Sequence, residues 1–100
     1  MELNPEEQEK YQQKLVGELR TYAFARLKSV KEGSETEELA AALLERYGFG
    51  LARAFELLGI PLGDFVNLIQ QLMLEIDPEA PLNRQKRWEA KPAGISIPQN

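Results

Sequence analysis

Two short stretches of this chain hold the residue types that could do chemistry. Glu75-x-Asp77-x-Glu79 gathers three carboxylates, enough for weak attraction of a divalent cation. It lacks the spacing and the glycine of a calcium loop, so an acidic helix end is the better account. Residues 83–91 read N-R-Q-K-R-W-E-A-K, with four cations against one carboxylate around the chain's single tryptophan. Arginine and tryptophan are the side chains that most often anchor protein–protein contacts, which makes Arg84, Lys86, Arg87 and Trp88 candidate partner-binding residues. Basic residues with an interleaved aromatic also suit single-stranded nucleic acid, through backbone attraction and base stacking. A third use is internal, with Trp88 folded back over the body of the domain.

The catalytic inventory beyond these is thin. Histidine and cysteine are both absent, which removes Ser–His and Cys–His nucleophile pairs and the ordinary zinc sites. There is no G-x-x-x-x-G-K-[ST] phosphate loop. The Gly48-Phe49-Gly50 triplet follows a helical pattern, so it is no dinucleotide fingerprint. Glu35, Glu37, Glu38 and Glu45 fall on a polar helix face, where solvation accounts for them. The expectation is a protein that is not an enzyme, with no cofactor and no metal.

Composition bounds the rest. One hundred residues with 43% hydrophobic and 28% charged content make one globular domain, small enough to gain from association. The N-terminus M-E-L-N-P-E-E-Q-E-K is acidic and unlike a secretory signal. No apolar run approaches the ~20 residues of a membrane span. Together these favour a cytoplasmic location. The formal charge of −4 argues against a protein whose main task is to coat nucleic acid.

The elements that must position the candidate residues are helical. Asn4 is a good N-cap, Pro5 fits the first helical position and Glu7 completes a capping box. Tyr11, Leu15, Leu19 and Tyr22, with Val16, Ala23, Leu27 and Val30, recur at spacings of three and four until Gly33 stops the run. A helix over about 5–32 follows, roughly 40 Å long at 1.5 Å per residue. So long a helix in so small a domain suggests that part of it packs on another chain or a second copy, through Leu15, Leu19, Tyr22 and Leu27. Phe24 and Ala25 widen that seam. Ser34 with Glu37 repeats the capping signal and predicts a second helix over about 35–47, ended by Gly48 and Gly50. A third helix spans about 51–58, Gly59 breaks it, and Pro61 opens a fourth over about 61–76. Asp77-Pro78 closes that one, because the residue before proline avoids the helical region. The last 24 positions hold four of the six prolines and read as an arm, extended, with at most a turn of helix around 84–90. The arm is expected to be flexible or ordered by a partner, beside a helical domain over 1–76.

The run G-L-A-R-A-F-E-L-L-G-I-P-L-G-D-F-V-N-L-I, with Ala54 five positions before the turn glycine Gly59, resembles small bacterial helix-turn-helix proteins of the regulator and antitoxin-like kind over residues 48–72. The resemblance implies a helix-turn-helix core and a dimer that reads DNA through Asn67, Gln70 and Gln71, since Asn and Gln can pair with adenine. Phe55 stands where that pattern usually has a second small residue. Charge points the other way as well. From position 54 to 83 there is no Lys or Arg, while Glu56, Asp64, Glu75, Asp77 and Glu79 supply five negative charges. DNA affinity comes largely from neutralising phosphates, so such a segment repels a duplex.

The sequence therefore predicts an all-α domain of four helices with a helix-turn-helix-like core. Its expected role is a non-catalytic protein-interaction module, a small subunit or an assembly or regulatory factor of a bacterial complex. The alternative is a DNA-binding regulator or antitoxin acting as a dimer.

Overall fold

The computed structural model describes residues 3–89, and of 87–89 only the helical backbone. The described residues form four α-helices and no strand: α1 (Pro5–Lys31), α2 (Glu37–Leu58), α3 (Phe65–Ile76) and α4 (Ala80–Glu89). α1, α2 and α3 pack on one another, and α4 rests on α2.

α1 begins where its capping box predicts. Asn4 Oδ1 accepts from the Glu7 amide at 2.8 Å, and Glu7 Oε1 accepts from the Asn4 amide at 3.2 Å. It ends at Gly33, whose φ of +79° only glycine adopts without strain. Ser34 N donates to Ser29 O and Gly33 N to Val30 O, which satisfies the last carbonyls of the helix. The same pair of bonds recurs at the end of α2, from Ile60 to Phe55 and from Gly59 to Glu56, with Gly59 at φ +70°.

Three boundaries differ from the sequence reading. The helices expected over 35–47 and 51–58 are one continuous α2. Gly48 and Gly50 do not end it, because their backbone stays helical. Gly48 is buried and serves close packing, since a Cβ built there would lie 2.8 Å from both Cγ1 and Cδ1 of Ile69 on α3. The cap of α2 is Thr36, whose Oγ1 accepts from Leu39 N at 3.1 Å, and the Ser34–Glu37 box does not form. Glu35 is drawn away by an ion pair with Arg26 of α1, so the helix starts two residues later than predicted. α3 starts at Phe65, four residues past Pro61, because Gly63 takes a φ of +52° and interrupts the helical path.

The fourth difference is in the arm, where residues 80–89 are helical. Asp77 explains it. Its amide donates to Met73 O and closes α3, while its Oδ1 accepts from Glu79 N at 3.0 Å and its Oδ2 from Asn83 Nδ2 at 2.8 Å. One buried residue thus ends α3 with its amide, and its carboxylate caps the turn at 78–79 that leads into α4. Arg84 then pairs with Glu45 of α2 at 2.9 Å, and Ala80 is buried. Asp77→Ala is expected to cost about 1–2 kcal/mol, a lost cap plus a stranded Asn83 amide. A urea midpoint unchanged by the substitution would remove Asp77 from this role.

The core is apolar and shared by the first three helices. Leu19 of α1, Leu44 and Phe55 of α2, and Ile69 of α3 are its largest fully buried side chains. Phe55 meets Phe65 with ring centroids 4.6 Å apart and planes tilted by 41°. The large residue at position 55 is therefore taken up by an aromatic contact between α2 and the start of α3.

Candidate interaction surface

α1 is long enough to touch both of its neighbours, and the two contacts differ in character. Toward α2 it presents Tyr22, whose ring stacks on Tyr47 at 4.0 Å with planes within 7° of parallel. The Arg26 guanidinium lies 5.2 Å from the Tyr22 ring centroid and pairs with Glu35. Partial burial, and then the nearby Glu18 carboxylate that accepts from its hydroxyl, hold the Tyr47 phenol above its ordinary pKa. The phenol stays a neutral donor, and this seam is closed by its own residues.

Toward α3 the contact is open. Positions 12, 16, 20, 23, 24 and 27 of α1 follow one another at helical spacing and line a groove against α3. Its upper part, about 530 Å³, is polar, with Gln12, Arg20, Asp64, Asn67 and Gln71 around Val16 and Leu68. Its lower part, about 160 Å³, is apolar, with Ala23, Phe24, Leu27, Leu72 and Ile76 between Arg20 and Glu75. Arg20 lines both parts. Phe24 stands at its rim with 70% of its surface exposed, more than any other large apolar side chain among the described residues. Neither Arg20 nor Glu75 forms an ion pair among the described residues.

The residues singled out in the sequence are dispersed by this fold. Leu19 is fully buried in the core and presents no surface, Leu15 is half-buried against the core, and Tyr22 is stacked on Tyr47. Of the four positions expected on α1, Leu27 alone borders the open groove. Arg84 is paired with Glu45, and Lys86 is exposed. Arg87 and Trp88 lie on the backbone of α4, and their side chains fall outside the described residues. Asn67 and Gln71 line the polar end of the α1–α3 groove, whereas Gln70 lines a separate groove of about 250 Å³ with Met73, Leu74 and Arg84. The three lie at the three- and four-residue spacing of one face of α3, and that face is divided between the two grooves.

Of the residues around the lower groove, Phe24 is visible in the sequence as widening the α1 seam, whereas nothing there singles out Arg20, Leu72 and Glu75 as lining it. Phe24 sits among Arg20, Thr21 and Lys28 on what is otherwise the solvated side of α1. Placed there, the ring keeps most of its apolar surface in water.

No three carboxylates among the described residues converge in a way that would hold a metal ion, and Asp77 is occupied by the α4 cap. No described helix is long and apolar enough to cross a membrane. Comparison with protein-family models, with curated proteins and with solved structures finds no match for this chain.

Proposed function

We propose that this chain is a non-catalytic protein-interaction module, a small subunit or an assembly or regulatory factor, that docks another protein chain in the α1–α3 groove. The observation that carries the reading is Phe24, a mostly exposed aromatic beside an apolar groove with an unpaired cation on one rim and an unpaired anion on the other. Burying such a ring against a partner removes a large apolar area from water, and aromatic anchors of this kind dominate binding energies. The polar rim then fixes orientation. A groove of this form takes an amphipathic helix whose apolar face enters between α1 and α3.

The test is a photoreactive amino acid placed at position 24 in the producing cell. It is expected to cross-link to a protein chain, and cross-linking from the neighbouring Leu27 is expected to vanish when Phe24→Glu is introduced. Absence of any protein adduct from either position would end the reading. Retention of duplex DNA with a steep inverse salt dependence would point instead to the helix-turn-helix alternative.

A further inference from the structure

The shape of the groove narrows the choice of partner. Phe24 forms one wall of the depression that Ala23, Leu27, Leu72 and Ile76 also line, and most of its ring faces solvent. Knob and hole therefore lie side by side on one molecule. Across the depression, Arg20 stands on the α1 rim and Glu75 on the α3 rim, with no ion-pair partner of their own among the described residues. A two-fold contact brings each residue of a patch against a different residue of the identical patch, so it requires a surface that complements itself. This surface does so in shape and in charge.

We propose that the occupant of the α1–α3 groove is a second copy of this chain, docked about a two-fold axis beside Phe24. Each Phe24 ring lies over the other copy's Leu27 and Leu72, and each Arg20 faces the other copy's Glu75. Every favourable contact is made twice. A different protein would have to supply an apolar insert with an anion and a cation at the matching places, whereas a second copy has all three already. This inference rests on the interaction-module reading and names its partner.

Sedimentation of the full chain over a range of concentrations tests it. The unaltered protein is expected to be dimeric, with Phe24→Glu weakening association at least about thirtyfold, as loss of a central aromatic anchor does. Phe24 is exposed, so the variant should keep its helical circular dichroism. Arg20→Glu alone sets carboxylate against carboxylate twice and is expected to weaken the dimer at least about tenfold. Arg20→Glu combined with Glu75→Arg restores the opposition of charges and should recover most of the affinity. A dimer through any other face would ignore both changes. A monomer at the highest concentration overturns the proposal, as does a dimer insensitive to Arg20→Glu or a double variant that fails to recover. If the chain is monomeric and position 24 cross-links to a different protein, the second-copy inference falls and the module reading stands. If position 24 cross-links to no protein, both fall.

Discussion

Phe55→Ala is expected to lower the stability of the domain by about 3–5 kcal/mol, the usual cost of an aromatic-sized cavity in a core. Phe55 is fully buried and Phe65 nearly so, and the two rings meet where α2 turns into α3. Phe65→Ala should cost a similar amount. The two losses should sum to more than the double substitution, by about 0.5–1.5 kcal/mol, because the ring–ring contact is counted in each. Domains of this kind have roughly 5–15 kcal/mol of stability in all, so either change removes a large share of it. Urea denaturation followed by circular dichroism measures it. A cost under about 1 kcal/mol for Phe55→Ala would mean that the aromatic pair is not the centre of the core.

The second large effect concerns a single methyl group. Gly48→Ala is expected to destabilise by about 1–3 kcal/mol, because the new Cβ must push into a tightly packed core. It would lie 2.8 Å from Ile69, and Ile69 is fully buried and β-branched, with no free end to swing aside. Two residues on, Gly50→Ala should do the opposite and stabilise by about 0.5–1 kcal/mol. Nothing lies within 4 Å of a Cβ there, and only the helix preference for alanine remains. Thermal melts of the two variants side by side decide the matter. Equal shifts of the same sign would show that Gly48 is not a contact point between α2 and α3.

That pair of glycines also shows where the sequence is legible and where it is not. Gly33 and Gly59 stop helices, whereas Gly48 and Gly50 lie within one. In the first pair the glycine supplies a left-handed backbone, and in the second the backbone stays helical. The amino-acid type is the same, and only the neighbour across the interface, Ile69 at Gly48, separates close packing from a stop. Asp77-Pro78 poses a similar ambiguity. Proline bars the preceding residue from the helix, which is how the end of α3 is readable. Proline is equally at home in the first turn of a following helix, which is how α4 is hidden in what reads as an arm. The all-α class, α1 with its cap and the ends of α2 and α3 follow from local signals within a few residues. The surface around Phe24 does not, since α1 periodicity shows which positions are apolar and cannot say which of them α2 or α3 will cover. Leu19 and Leu27 look alike in the sequence, and one is core while the other borders an open groove.

The connections between helices carry a last consequence. They are short: residues 32–36, 59–64 and 77–79. Each helix therefore finds its neighbour without closing a long loop, and a chain dominated by such local encounters folds in microseconds to milliseconds. Dimer formation depends on collision between separate molecules and is slower at any ordinary concentration. In the proposed dimer, the groove is thus built before a second copy arrives. The proposed association would join two finished bodies that meet nearly as rigid objects, and its rate should rise with concentration while the folding rate does not.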